Sequence, residues 1–356
     1  SNPTRVGAFD GAPFVATLGH GRGAAYEPEA FGHREAREAV VAYYGERGAG
    51  ITAGDVLLTA STSEAYGWLF KLLTEPGDEV IVLSPTYPLL AFLADLEGVR
   101  LVPVSLLEDR GFRLRVGELE AALSARTRAI VVVSPNNPTG TYLHDDDRAV
   151  LVGIAEERGL ALVVDEVFAD YAFDEGRRAR PPTLAGEAKA LTFVLSGLSK
   201  AVGLPQLKLG WMVVSGPAAA KAEALARLEL VADTYLSVST PVQRALPEIL
   251  AARGPAVEAL RRRTAINLAQ LDAALPLVEG AVERLPVEAG WYAVLVAKGA
   301  RDEERLVAEL AAEGLLVHPG YFFDFRSAGR YVVSLLPPPE VFAEGLARLL
   351  PALDQE

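Results

Sequence analysis

Short apolar runs alternate with helix-length segments along most of the chain, and this alternation constrains the fold more than any other feature. The runs Glu79–Leu83, Ala129–Val133 and Leu160–Val164 consist largely of Val, Ile and Leu. Such runs are typical of strands that are buried on both faces of a largely parallel sheet, with helices on each side. The sequence therefore predicts an α/β fold with a mostly parallel sheet.

The pattern changes near residue 216, where long Ala/Leu/Arg-rich helices begin. Val242–Leu275 reads as helical with breaks at Pro247 and Gly254, and short strands and helices follow. We predict an N-terminal arm (1–36) that joins the small domain, a large domain (37–245) and a smaller α+β domain (246–356). Because ligand sites favour domain interfaces, we expect the site in the cleft between the two domains.

Composition excludes several functions. The 356 residues carry a net charge of −13 and include no cysteine. The charge argues against general nucleic-acid binding, and the lack of Cys excludes thiolate catalysis, disulfides and Cys-ligated metal. The four histidines show no zinc-site spacing, so no metal is expected. No run is long enough to span a bilayer and no signal peptide is visible, so we expect no membrane association and a cytoplasmic location.

Two loops that follow predicted strands carry candidate ligand groups. Ser61, Thr62 and Ser63 come after the run Val56–Thr59 and open a helix, where free N–H groups and hydroxyls suit an anion; an ordinary helix cap is the alternative. The loop Ser134–Gly140 follows Ala129–Val133, at the sheet edge where α/β folds bind ligands. An X-Pro bond in this loop is a candidate cis bond, and a simple tight loop is the alternative.

Two charged residues also follow predicted strands. Asp165 directly follows Leu160–Val164, and a carboxylate at a buried strand end needs a partner because burying it unpaired is costly. Lys200 follows the predicted strand Leu191–Leu195. A desolvated lysine becomes nucleophilic and forms Schiff bases. The alternatives are a structural ion pair for Asp165 and a solvated surface lysine for Lys200.

Taken together, the four stretches describe a site for pyridoxal phosphate. The turn at Ser61 would hold the phosphate, and Lys200 would bond to the aldehyde carbon. Asp165 would pair with the pyridinium nitrogen and keep it protonated, so that the ring accepts electrons from the substrate carbanion.

On these motifs the chain resembles the fold-type I, class I/II aminotransferases over nearly its whole length. The segment Asn137-Pro138-Thr139-Gly140 is similar to the NPTG loop of that family, in which the Asn bonds the cofactor's 3′-oxygen. The resemblance implies that Lys200 forms the internal aldimine and shuttles a proton, that Asp165 is the pyridinium partner, and that Ser61, Thr62 and Ser63 bind the phosphate.

The resemblance implies further roles for residues near the start of the chain. Tyr87 matches the aromatic residue that stacks on the cofactor ring, with core packing as the alternative. Tyr26 resembles the tyrosine that reaches the phosphate of the neighbouring subunit, which implies a homodimer. The opening segment around Asn2 resembles a segment that borders the substrate, so Asn2 is a candidate substrate-binding residue together with Asn137.

Three positions near the cofactor depart from the family pattern. Phe168 stands where the family has a tyrosine, which removes one hydroxyl bond to the cofactor. Lys208 replaces an arginine that binds phosphate, so the charge is kept without the bidentate fork. Gly197 replaces a hydroxyl residue three positions before Lys200, with Ser196 and Ser199 as substitutes.

A fourth departure concerns the substrate. The family has an arginine for the substrate α-carboxylate on a late strand, and the alignment places Val332 there. Arg330 lies two residues earlier and would face the same side of the strand, so it is our candidate for substrate binding. Arg5 and Arg326 are other cations that could approach the site, and solvated surface charge is the alternative for each of the three.

The resemblance implies a pyridoxal phosphate-dependent aminotransferase that moves an amino group from an L-α-amino acid to a 2-oxo acid. Two alternatives stay open. The same cofactor and lysine serve β-elimination, decarboxylation, cyclisation or oxidation at the α-carbon. A non-catalytic pyridoxal phosphate-binding sensor is the other, although the chain shows no basic helix-turn-helix extension.

Overall fold

A computed structural model describes residues 2–19, 21–173, 181–278, 280–299 and 302–354. The strands of the described part form two sheets. They are β1 (Val56–Thr59), β2 (Glu79–Ser84), β3 (Arg100–Ser105), β4 (Thr127–Val133), β5 (Ala161–Asp165), β6 (Thr192–Gly197), β7 (Gly210–Ser215), β8 (Val282–Arg284), β9 (Tyr292–Ala297), β10 (His318–Pro319) and β11 (Arg330–Ser334).

Helices flank both sheets. They are α1 (Ala12–Ala16), α2 (Arg34–Gly45), α3 (Thr62–Leu73), α4 (Leu89–Leu96), α5 (Val116–Ala122), α6 (Asp145–Arg158), α7 (Leu198–Ala201), α8 (Ala218–Tyr235), α9 (Thr240–Ala251), α10 (Gly254–Ala274), α11 (Glu303–Ala312) and α12 (Pro339–Asp354). The predicted break at Pro247 is wrong, because this proline lies inside α9. The apolar face of α9 is buried against α2, and this burial outweighs the hydrogen bond that proline loses.

The large sheet has the order β1-β7-β6-β5-β4-β2-β3. The pairs β2–β3, β2–β4, β4–β5 and β5–β6 are parallel, whereas β7 is antiparallel to both of its neighbours. The predicted, mostly parallel sheet is thereby confirmed. The carboxyl ends of β1, β2, β4, β5 and β6 consequently meet at one edge, which is where such sheets bind ligands.

Both faces of the large sheet are buried, as the apolar runs predict. In β5, Leu162 and Val164 pack into one apolar cluster, while Ala161 and Val163 pack into the cluster on the opposite face. Successive side chains of a strand point to opposite faces, so a strand covered on both sides must be apolar at every position.

The second sheet is antiparallel, with the order β10-β11-β9-β8. Its own apolar cluster includes Leu271 of α10, Leu295 of β9 and Leu346 of α12.

The N-terminal arm contacts α10, because Arg263 donates hydrogen bonds to the carbonyl oxygens of Val6 and Gly7. The proposed domain limits at 37 and 246 stay a prediction. Within the described residues, no helix is both long and apolar enough to cross a membrane.

Candidate active site

Asp165 is the last residue of β5 and lies at the ligand-binding edge of the large sheet. Its side chain is buried, with 5% of the residue exposed. One carboxylate oxygen accepts the backbone N–H of Val167 at 3.0 Å, and the other accepts the hydroxyl of Tyr66 at 3.3 Å. Burial raises the pKa of Asp165 to about 6, although these two donors and the charge of Lys200 act in the opposite direction.

Lys200 lies in the short helix α7, which directly follows β6. Burial lowers the pKa of its amine, and the nearby charge of Lys208 adds to this effect while Asp165 opposes it. The amine lies 5.9 Å from the ring centroid of Phe168, and the backbone carbonyl of Lys200 accepts the hydroxyl of Tyr171. A desolvated amine with a lowered pKa is the form of lysine that acts as nucleophile and base.

The turn between β1 and α3 carries the three predicted phosphate ligands. Ser61 is the N-cap of α3, and its hydroxyl oxygen accepts the N–H of Glu64 at 3.1 Å. Ser61 is therefore a helix cap, as the alternative interpretation predicts. This does not exclude anion binding, because the first N–H groups of a helix have no hydrogen-bond partners within the helix. Gly210 packs closely behind the turn: a Cβ there would lie 3.2 Å from the carbonyl carbon of Ser61.

The loop after β4 uses its two asparagines differently. Asn136 holds the loop together, since its side chain donates to the carbonyl of Pro85 at 3.0 Å and accepts the hydroxyl of Thr139 at 3.0 Å. The amide oxygen of Asn137 is buried and has no hydrogen-bond partner among the described residues. The bonds Ser134–Pro135 and Asn137–Pro138 are both cis, which agrees with the expectation of a cis bond.

Gly140 ends this loop in the left-handed region, with φ +70°. A Cβ at this position would lie 2.2 Å from the carbonyl oxygen of Ala289, so only glycine allows the loop to approach the segment that precedes β9. The loop after β4 is thereby joined to the segment before β9, since the N–H groups of Glu288 and Ala289 donate to the carbonyl of Gly140.

Thr86 and Tyr87 follow β2 and lie at the same edge of the sheet. Tyr87 is half-buried, and its pKa is raised by burial and by the charge of Asp165. The backbone N–H of Thr86 donates to the carbonyl of Phe323 at 2.9 Å. The hydroxyl of Thr86 is buried and finds no partner within the described part of the chain.

Phe168 is fully buried in an aromatic cluster beside Lys200. Its ring centroid lies 5.3 Å from that of Trp291 and 6.2 Å from that of Tyr292. Tyr171 completes the cluster at 5.0 Å from Trp291. An apolar ring therefore occupies the position where the family has a hydroxyl group. The amine of Lys200 lies over this ring.

The other residues of the lysine segment differ in burial. Lys208 is exposed and has a left-handed backbone with φ +50°. Ser196 is fully buried, and its hydroxyl has no partner among the residues that the structure describes, whereas Ser199 is half-buried. Their roles toward the cofactor stay predictions.

The position of the expected carboxylate-binding arginine is apolar. Val332 is fully buried and packs with Val294 and Phe323. Arg330 forms an ion pair with Glu108, and its Nε is buried without a partner in the described residues. Arg326 is more exposed and pairs with Glu118. Substrate binding by Arg330 stays a prediction.

The structure does not bring Asn2 or Tyr26 into a network with Lys200. The side-chain oxygen of Asn2 accepts the Thr4 hydroxyl at 2.9 Å within its own turn. Tyr26 is 73% exposed. Their proposed contacts, with the substrate and with a neighbouring subunit, stay predictions.

Two tyrosines at the site are not predicted by the sequence. Tyr66 bonds to Asp165, and Tyr171 bonds to the backbone of Lys200. Both are buried aromatic residues, which sequence alone assigns to core packing. The signal that could have identified Tyr66 is its position, one helical turn after the predicted phosphate turn.

The residues at this edge fit pyridoxal phosphate. The unpartnered oxygens of Asn137, Thr86 and Ser196 are buried polar groups that a bound molecule can satisfy, and buried polar groups are rarely left without partners. Asp165 suits a ring nitrogen and Lys200 an aldehyde. Among the described residues no cluster of His, Asp or Glu could hold a metal ion. The fold and the site thus define a pyridoxal phosphate-binding protein of fold type I.

The family model described as "Aminotransferase class I and II" matches residues 16–346. The chain belongs to the aminotransferase class I and II family, which depends on pyridoxal phosphate.

Curated relatives match part of the chain. It is 32% identical to glutamate-pyruvate aminotransferase AlaA from Haemophilus influenzae, over 60% of this chain and 53% of that protein. It is 33% identical to arginine–pyruvate transaminase AruH from Pseudomonas aeruginosa, over 65% of this chain and 58% of that protein. The chain therefore spans about half the length of the curated relatives it matches.

Solved structures match nearly all of the chain. An aspartate aminotransferase mutant from Thermus thermophilus has a TM-score of 0.83 and 26% identity, covering 99% of this chain and 88% of that one. An alanine aminotransferase from Pyrococcus furiosus has a TM-score of 0.88 and 22% identity, covering 97% of this chain and 87% of that one. The second likeness supports the fold alone.

Proposed function

We propose that the protein is an aminotransferase that moves the amino group of a small L-α-amino acid to a 2-oxo acid. The observation that carries the proposal is the half-buried Lys200, with its amine near the buried carboxylate of Asp165, at the edge where the parallel strands of the large sheet end. Relatives named for alanine, glutamate, arginine and pyruvate support it.

Each residue of the site has its own role in this reaction. Bound pyridoxal phosphate supplies a carbonyl for the amine and a ring that draws electrons from the α-carbon. Asp165 accepts a hydrogen bond from the ring nitrogen and keeps the proton there. Lys200 Nζ accepts the α-proton and delivers it again, a role that suits an amine whose pKa is lowered by burial. The turn at Ser61–Ser63 and the charge of Lys208 hold the phosphate.

We further propose that Arg330, Asn137 and Asn2 contact the substrate. Arg330 carries a guanidinium with a buried, unpartnered Nε among the described atoms, and its ion pair with Glu108 links β11 to the segment that follows β3 of the large sheet. A substrate carboxylate would bind to the same guanidinium. Val332 itself packs with Val294 and Phe323 and cannot supply this charge.

We also propose a cytoplasmic homodimer, as the sequence predicts. The helix α4 exposes an apolar stripe of Leu89, Phe92 and Leu96. Residues three or four apart lie on one face of a helix, so the stripe suits the surface of a second copy. Sedimentation velocity tests this directly: a dimer is expected, and Phe92→Glu should shift it to monomer.

A second function keeps the cofactor and changes the reaction at the α-carbon. The apolar surroundings of Val332 favour decarboxylation among these reactions, because a carboxylate that leaves as carbon dioxide is destabilised by an apolar wall and would be stabilised as an anion by a guanidinium. Product analysis separates the two: transamination conserves nitrogen between amino acid and 2-oxo acid, whereas elimination releases ammonia and decarboxylation releases carbon dioxide.

The proposed transamination is tested by following the visible absorbance of the pyridoxal phosphate-loaded protein with single amino acids, alanine, glutamate and arginine first. We expect one amino acid to bleach the band and a 2-oxo acid to restore it. Lys200→Ala should lose turnover, whereas Lys298→Ala, an exposed lysine paired with Glu283, should retain it. A band that no amino acid bleaches, or an active Lys200→Ala protein, contradicts the proposal.

A further inference from the structure

Tyr66 is a buried polar group at the cofactor site that the proposed chemistry leaves without a role. It lies in α3, is 2% exposed, and its hydroxyl donates to Oδ2 of Asp165 at 3.3 Å. Its ring packs against Phe70, with the centroids 6.3 Å apart. A phenylalanine would fill the same space, so packing alone does not require the hydroxyl.

We propose that Tyr66 is a positioning residue that orients the carboxylate of Asp165 toward the ring nitrogen of pyridoxal phosphate and ties it to the phosphate-binding turn. The inference deepens the proposed function and rests on it. The tie is the helix α3, which begins at the Ser61–Ser63 turn and carries Tyr66 one turn later. A helical turn is a rigid spacer, with a rise of about 1.5 Å per residue.

The two bonds to Asp165 fix the plane of its carboxylate. Oδ1 is held by the N–H of Val167 on the following segment, and Oδ2 by Tyr66 from a different element. Each carboxylate oxygen can accept more than one hydrogen bond, so both remain able to accept a bond from the cofactor. Without Tyr66, the described hydrogen bonds to the Asp165 carboxylate would come only from Val167, two residues along the same segment.

The surrounding groups keep Tyr66 a donor. Asp165 is faced by Tyr66 from α3 and by Lys200 from α7, with Glu166 next to it in sequence. Tyr66 is faced by Asp165 and by Tyr87. Burial and the charge of Asp165 raise the pKa of Tyr66 above its ordinary value, so its hydroxyl keeps its proton at neutral pH.

The first test measures Asp165 itself in protein freed of pyridoxal phosphate. A ¹³C-carboxyl titration by NMR follows Asp165 in the wild type and in Tyr66→Phe. Loss of a donor to the charged form should move the Asp165 midpoint upward by about one pH unit. The matched control is Tyr43→Phe, which removes a buried tyrosine hydroxyl that donates to Asp170 at 2.7 Å, and it should leave the Asp165 midpoint unchanged.

The second test measures binding by equilibrium dialysis. Tyr66→Phe should weaken pyridoxal phosphate binding roughly fivefold, whereas inorganic phosphate should compete as well as in the wild type. In an Asp165→Asn background, Tyr66→Phe should add less than about twofold, because residues that act through each other are not additive. Full additivity, or an equal loss of phosphate affinity, overturns the proposal.

A third measurement needs no change at Tyr66 and covers the case in which Tyr66→Phe does not fold. The ¹³Cζ resonance of Tyr66 should shift over the pH range in which Asp165 titrates, and this shift should vanish in Asp165→Asn. A Tyr66 resonance whose chemical shift does not change as Asp165 titrates overturns the proposal. None of these readouts depends on transamination, so their outcome and that of the amino acid panel are separate.

Discussion

Replacing Asp165 by asparagine removes a charge that the fold buries, and we expect this to stabilise the cofactor-free protein while it destroys function. Asparagine has nearly the same shape. Its side-chain oxygen can still accept the N–H of Val167, and its amide nitrogen can donate to the hydroxyl oxygen of Tyr66. A buried charge at a functional site lowers stability and is kept for the chemistry it performs.

The magnitude follows from the pKa of Asp165. Burial raises it from an ordinary value of 3.8 to about 6, so the folded protein binds this proton more readily than the unfolded chain. Its contribution to stability is therefore greatest at low pH and is lost as the pH rises from about 4 to about 6. The shift of about 2 pH units corresponds to about 3 kcal/mol in the free energy of unfolding.

The assay is urea unfolding of the wild type and Asp165→Asn, both freed of pyridoxal phosphate, between pH 4 and pH 8. The variant should gain less than about 1 kcal/mol at pH 4 and about 3 kcal/mol at pH 8. Ser215→Ala is the control, because it removes a buried neutral hydroxyl, and its effect on stability should be the same at both pH values. The variant should also lose turnover.

The result that refutes this reasoning is a variant no more stable than the wild type at pH 8. The same holds if the advantage of the variant does not change between pH 4 and pH 8. Either result would mean that Lys200 and the two hydrogen-bond donors fully offset the burial of the Asp165 charge.

Two other substitutions test the departures from the family pattern. Phe168→Tyr places a hydroxyl beside Lys200, where it can donate to the oxygen of the bound cofactor; the pH midpoint of the visible band should fall by about one pH unit, and an unchanged midpoint would show that the hydroxyl makes no such bond. Arg330→Ala should raise KM for the amino acid about tenfold and change kcat little, since one ionic hydrogen bond is lost. Arg326→Ala, an exposed arginine paired with Glu118, is the control in steady-state kinetics, and equal KM values for both variants would return Arg330 to a structural role.

Much of the fold and the positions of the main site residues could be predicted from the sequence. The helix Asp145–Arg158 has the predicted bounds, and the apolar runs around Ala129–Val133 and Leu160–Val164 became neighbouring parallel strands. Local periodicity and composition determine such elements. Asp165 and Lys200 could be located because both follow strands that end at one edge.

What only the tertiary structure decided are contacts between residues far apart in sequence. The bond of Tyr66 to Asp165 spans 99 positions, and the ion pair of Arg330 with Glu108 spans 222. The helix α9 likewise continues past Pro247 because it is buried against α2. A sequence pattern reports which face of an element is apolar, but which polar atoms meet across a core depends on how the elements pack, and that packing is a property of the whole chain.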